Sequence, residues 1–262
     1  MNRWEQIIVI MAALLCLACT TKVSEWVLLN SPAGRYLLVC YHNGAIPETA
    51  KQLHRELEEQ SHRANLIFRE VRKDDGKPLS YALYYDNRLV ATYDDPSQMK
   101  GITSSPLRKQ IASELMDGQL CAMVYLTSGN KEKDEAQLQV VRKSIAASPF
   151  SSLIALTVVE RNDAAEHHFV QMLLHTEEDL KAIHEPMLFG VFGRFRVLEP
   201  LLNRGITGEN IGLMIDFFTA DCSCVIKDAL PGINILIDTS WKDPRPARVN
   251  KILDENPHLI HH

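Results

Sequence analysis

The segment from Glu185 to Leu198, EPMLFGVFGRFRVL, narrows the possible folds more than any other part of the chain. Its apolar run reads as a buried strand, Gly193 supplies a turn, and the residues after it return as a second strand. Pro186 stands directly before the first strand, and Thr207 to Ala220 follows as a helix with Ile211, Ile215 and Phe218 on its inner face. Upstream, Leu120 to Leu126 and Ser151 to Glu160 have the composition of fully buried strands. They are joined by a helix from Asp134 to Ala146 carrying Leu138, Val141 and Ile145. A strand, a helix and a second strand in this order imply a parallel pair with a right-handed crossover. Asp163 to Glu166 has capping-box spacing and opens a further helix to about Leu174, and Thr176 to Asp179 opens a shorter one.

The same order occurs once before. Tyr36 to Tyr41 is a short strand rich in β-branched and aromatic residues, and Pro47 opens a helix to about Gln60 with Leu53 and Leu57 inward. Asn65 to Val71 is the next strand. Leu79 to Tyr85 and Arg88 to Tyr93 form a hairpin around Asp86-Asn87. Ser105-Pro106 then starts a helix with Leu107, Ile111 and Leu115 on one face and Gly118 as its C-terminal cap. Beyond the repeat, Ile233 to Ile237 reads as an edge strand.

The first residues read as a targeting segment: Arg3 is a positive start, and Ile7 to Ala18 is an unbroken apolar run. That run is too short to span a bilayer, which takes about 20 residues. Cys16-Leu17-Ala18-Cys19 resembles a bacterial lipoprotein processing site, with Cys19 as the lipidated residue; ordinary secretion and a retained anchor are the alternatives. The predicted organisation is therefore a signal peptide of secretory or lipoprotein type over 1–19, a tether over 20–34, a first unit over 35–118, a second over 119–240 and a tail over 241–262. The expected location is the periplasmic side of a bacterial cell envelope, with a lipid anchor as the membrane contact. A net charge of -5 and the lack of any Lys/Arg stripe exclude nucleic acid as the expected partner.

An α/β chain in which each half runs βαβ, hairpin, helix resembles two tandem thioredoxin-like domains. In thioredoxins the redox pair opens the helix after the first strand. The matching positions here, His42-Asn43-Gly44-Ala45-Ile46-Pro47 and Thr127 to Lys133, hold no cysteine. Chemistry of that kind needs a thiolate of depressed pKa at a helix start, so the resemblance implies the fold without the activity. It also implies a cis-proline before the third strand of each half, for which Pro186 and Pro78 are the candidates. The segments Phe192-Gly193-Arg194-Phe195-Arg196, Cys222-Ser223-Cys224-Val225-Ile226-Lys227 and Pro231-Gly232 are similar to bacterial proteins with tandem domains of this kind. Phe195 stands where those proteins carry glycine, which leaves the turn there open.

Cys222-Ser223-Cys224 is the chemical candidate. It reads as a structural pair closing the last helix, as a strained and readily reduced redox couple, or as a soft-metal site for Cu(I). Cys40 and Cys121 lie within apolar strands and read as buried structural thiols. His167-His168, with His175 and His184, lack the i, i+4 spacing of a metal-binding helix face, and His258, His261 and His262 read as tail. Arg194 and Arg196, alternating off the returning strand, are expected on one face, where they bind an anion or acidic partner or form an ordinary solvated surface. The expected function is a non-catalytic binding or scaffold protein for a protein or peptide, using the loop at Pro186 with Arg194 and Arg196, and needing no cofactor or metal. Thiol–disulfide exchange or soft-metal handling at Cys222 and Cys224 is the alternative.

Overall fold

The computed structural model of the protein describes residues 21–73 and 79–257. The chain is a mixed α/β protein with two sheets. Helix α1 (Val23–Asn30) precedes the first sheet, which holds β1 (Tyr36–His42), β2 (Leu66–Arg72), β3 (Leu79–Tyr85) and β4 (Arg88–Tyr93) in the order β2-β1-β3-β4. Helix α2 (Glu48–Ser61) joins the parallel pair β1 and β2, and β3 runs antiparallel to β1 and to β4. Helix α3 (Pro106–Met116) leads to the second sheet, in which β5 (Cys121–Leu126), β6 (Ile154–Val159), β7 (Met187–Phe192), β8 (Arg196–Val197) and β10 (Ile233–Asn234) take the order β10-β8-β7-β5-β6. Helix α4 (Lys131–Ala147) joins the parallel pair β5 and β6, β7 runs antiparallel to β5, and β9 (Leu201–Leu202) pairs with the start of β7. Helices α5 (His167–Leu173), α6 (Gly208–Thr219), α7 (Cys224–Asp228) and α8 (Val249–Glu255) complete the chain. The β2-β1-β3-β4 arrangement recurs as β6-β5-β7-β8, with the same parallel and antiparallel senses.

Period-two alternation divides the second sheet between two cores. Ala122, Val124 and Leu126 of β5, with Met187, Phe189 and Val191 of β7, face a core that also takes Tyr36, Leu38, Leu66 and Leu83 of the first sheet, Ile111 and Leu115 of α3, and Phe169 of α5. Cys121, Met123, Tyr125, Leu188 and Phe192 face the opposite way, under Val23 and Val27 of α1, Leu138, Val141 and Ile145 of α4, and Ile211, Ile215 and Phe218 of α6. The first core is thus continuous between the two sheets.

Several expectations are corrected. The stretch read as a tether contains α1, because Val23 and Val27 bury against the second sheet and Lys22 pairs with Asp221 at 2.8 Å. The C-terminal tail contains α8, whose Val249 is buried, and the segment before it is tied by Arg245 N–H to Met116 O. In α2 the inward residues are Ala50, His54 and Leu57, with Leu53 only half-buried. Ser105 does not cap α3; its hydroxyl donates to Glu166, whose other carboxylate oxygen accepts the Leu107 N–H at 2.8 Å. The stretch opening at Thr176 forms only a short 3-10 turn, Leu180–Ala182.

The turn after β7 is tighter than a simple hairpin. Gly193 has φ +57°, and a Cβ there would meet Val27 of α1 at 2.4 Å, so only glycine allows the helix this close. Phe195 also sits in the left-handed region, with φ +58°. Its strain, about 1–2 kcal/mol for a non-glycine residue, is offset because the ring is fully buried with its centroid 5.9 Å from that of Phe169.

The segment 233–238 joins the sheets. Asn234, 2% exposed, accepts Gly34 N–H on its side-chain oxygen at 3.0 Å and donates from its amide to Arg194 O at 2.8 Å. Tyr36 donates its hydroxyl to Asn234 O, and the Asn234 N–H donates to the Tyr85 hydroxyl. Asn65 adds bonds to Ile235 O and from Ile237 N–H. Beside this strap, the fully buried Arg108 donates to Leu236 O, Ile102 O, Gly101 O and the Ser105 hydroxyl.

Candidate functional site

The strongest candidate lies where β5 ends, α4 begins and the loop before β7 passes. Asn130 caps α4, its side-chain oxygen accepting Lys133 N–H at 3.1 Å. Asp134 turns back from the first turn of the helix, 9% exposed. Its carboxylate accepts Ser128 N–H at 2.8 Å, the Ser128 hydroxyl at 2.9 Å and Gly129 N–H at 3.0 Å. Tyr125, projecting from β5, donates its hydroxyl to Asp134 O at 3.0 Å, and burial beside that carboxylate raises the phenol's pKa. A carboxylate holding three donors fixes the loop rigidly.

Across from this loop, Lys133 forms an ion pair with Glu185. Arg161 donates to Thr127 O at 3.1 Å and to Glu185 O at 3.2 Å, and partial burial lowers its pKa. Asn203 N–H donates to Pro186 O at 2.9 Å. The carbonyls on both sides of the Glu185–Pro186 bond therefore already have donors, which an extended peptide binding there would have to displace. The expectation of a cis-proline is corrected for Pro186: no peptide bond among the described residues is cis, in keeping with the trans preference of about 0.5–1 kcal/mol for X–Pro. Pro78 lies outside the described residues.

In the first half the matching position is simpler. His42 ends β1, its Nδ1 lies 2.9 Å from Gly44 O, and α2 starts after Pro47. Behind it lies a polar chain that the sequence reading missed. Cross-strand register sets Cys40 of β1 opposite Glu70 of β2 and Tyr81 of β3. His54 of α2 reaches down with Nδ1 2.5 Å from Glu70 and Nε2 2.9 Å from the Tyr81 hydroxyl. Burial pushes the Cys40 thiol up to about 11, Glu70 acts in the same direction, and the hydrogen bond from Tyr81 opposes them. Cys40 is thus fully buried and held as an unreactive thiol. A histidine on the inner side of an amphipathic helix, followed by a glutamate in the next strand, was the signal available.

The remaining candidates separate. Cys121 is a fully buried free thiol, as is Cys40, and burial raises its pKa. Cys222 is 2% exposed, and its N–H donates to Thr21 O. Ser223 caps α7, accepting Ile226 N–H at 3.2 Å, so Cys224 occupies the first position of that short helix. Arg194 lies in the turn rather than on a strand and donates to Leu28 O and Leu29 O at the end of α1. Arg196 donates to Pro231 O, Leu230 O and the Asn234 side chain. Their expected pairing on one open face is corrected, since main-chain carbonyls claim both guanidiniums. His168 is buried with Nδ1 3.3 Å from the Tyr93 hydroxyl, whereas His167 and His184 are exposed. No group of three or more His, Cys, Asp or Glu side chains among the described residues is placed to hold a metal ion. Cys19, His258, His261 and His262 lie outside the described residues. A groove of about 920 Å³ between α4 and α6 is lined by Phe150, Gly208, Gly212, Ile215 and Leu253 and contains none of the cysteine, histidine, arginine or proline candidates named from the sequence.

No protein-family model matches the chain, and no curated protein is similar to it in sequence.

Proposed function

We propose that the protein is an exported, membrane-tethered binding or scaffold protein built of two tandem thioredoxin-like units that have lost thioredoxin chemistry. The repeated strand order supports the architecture. The observation that carries the functional reading is the loop Ser128 to Asn130, folded onto the Asp134 carboxylate at the place where a thiol couple would stand. A loop pinned by three hydrogen bonds to one carboxylate presents a fixed surface and no thiol. The partner class is protein or peptide, met on the exposed Gly129, Asn130 and Lys131 rather than along the occupied carbonyls at Pro186. Among the described residues no helix is long and apolar enough to cross a membrane, so membrane attachment in this reading comes from the N-terminal segment.

The test is site-specific photo-crosslinking from Asn130 in the native envelope, repeated in the double variant Cys222→Ser/Cys224→Ser. A discrete crosslinked partner retained in the double variant is the expected result. Loss of the partner with an unchanged thermal midpoint, together with a Cys222–Cys224 pair that opens under mild reductant, would replace this reading with a redox one.

A further inference from the structure

Where the chain enters the fold dictates what its nearest face meets. Thr21 is fixed: its carbonyl accepts Cys222 N–H at 3.0 Å, and the next residue, Lys22, is bonded to Asp221. The apolar run ends at Ala18, and Cys19 lies two residues before Thr21. An extended chain covers at most about 3.6 Å per residue. A lipid on Cys19, or a retained anchor ending at Ala18, therefore keeps Thr21 within roughly 10 Å of the bilayer surface. No tether remains to stand the body off, because α1 begins at Val23.

The three helices that meet around this point are α1, α6 and α7. Val23 N–H donates to Ala220 O after α6, and Cys222, ahead of α7, holds Thr21. These helices carry three of the five exposed large apolar side chains of the described residues: Leu29, 41% exposed, Leu213, 61%, and Val225, 77%. Trp26 lies one turn before Leu29 on the same side of α1, half-buried, with the Lys227 ammonium of α7 5.5 Å from its ring centre. Tryptophan and lysine side by side, flanked by exposed aliphatic groups, suit the water–lipid boundary, where an indole is wetted at one end and a lysine reaches phosphate.

We propose that the face formed by α1, α6 and α7 around Thr21 lies on the phospholipid surface, with Trp26, Leu29 and Val225 in the headgroup region. This rests on the reading of the N-terminal segment as a membrane attachment. The lipid holds the body close, and the face fixes its orientation, turning the first sheet and the loop at Asn130 toward the aqueous side.

The test uses the full chain, expressed with its own N-terminus and reconstituted into phosphatidylcholine/phosphatidylglycerol vesicles. Trp4→Phe and Trp241→Phe leave Trp26 as the only tryptophan. Attachment is read separately by carbonate-resistant sedimentation with the membranes and by acyl labelling. The expected result is a sedimenting protein whose Trp26 emission is quenched about twofold more by doxyl groups near the headgroups than by deep ones. Leu29→Ser with Val225→Ser should abolish that quenching without releasing the protein. A tryptophan placed by Leu89→Trp on β4, in a background with Trp26→Phe, should stay unquenched. A sedimenting protein whose Trp26 is unquenched and equally open to iodide in vesicles and in detergent overturns the proposal while leaving the attachment intact. A protein that washes off the membranes overturns the attachment and the proposal with it.

Discussion

At the scale of single residues, the protein spends its charged and polar side chains on its own main chain. Arg108 supplies donors to three main-chain carbonyls, those of Ile102 and Leu236 buried, and its burial lowers its pKa to about 10. His168 shows the cost of such burial. Desolvation, then Arg108, then His167 lower its pKa to about 4, so it stays neutral in the fold while the unfolded chain's imidazole takes a proton near pH 6.5. Because the unfolded state then holds more protons, stability is fully present above pH 6.5 and is lost as the pH falls toward 4. The loss amounts to about 3 kcal/mol for this shift. Urea midpoints at pH 7 and pH 4.5 should show the decline, and His168→Gln should flatten it. His175, also shifted down, will contribute a part that the variant leaves in place. An acid decline equally steep in the variant would mean that other groups drive it.

At the scale of elements, α1 decides how the second sheet is closed. Eight residues make a marginal helix on their own, so it depends on Val23 and Val27 in the core, on the close approach at Gly193, and on Arg194 at its C-terminal carbonyls. Arg194→Ala removes two charge-assisted hydrogen bonds and should cost about 1–2 kcal/mol. In a chain of this size that is a fall of about 2–8 °C in Tm, readable by differential scanning calorimetry. An unchanged Tm would show that the guanidinium is merely parked there. Arg194 and Arg196 were legible as a pair but not as caps, because their acceptors lie 165 and 35 residues away in sequence.

At the scale of the whole molecule, the repeat does not make two independent bodies. One core runs between the sheets, and the strap 233–238 bonds to both. Native-state hydrogen exchange should therefore find the central amides of β1 and β5 opening with one free energy, the global one. Asn234→Ala leaves the half-buried Gly34 N–H and Arg194 O without the Asn234 side chain, and should lower both by the same amount, about 1–2 kcal/mol. Separate opening energies in the wild-type chain would show that each sheet folds alone.

The sequence by itself determined the repeated order of strand, helix, strand, hairpin and helix. Local periodicity, the Asp86-Asn87 turn and the Gly118 cap are encoded within a few residues, and the hairpin at Leu79 to Tyr93 lies where the pattern predicts it. It also determined that both helix starts after β1 and β5 lack thiols. What the polar residues do was decided only by the tertiary structure. The pairings of His54 with Glu70 and Tyr81, of Lys133 with Glu185, and of Asn234 with both sheets join groups from different elements. The conversion of the tether and the tail into packed helices has the same origin. Neither α1 nor α8 is long enough to stand by its own hydrogen bonds, so each forms because a surface elsewhere in the chain is there to bury it.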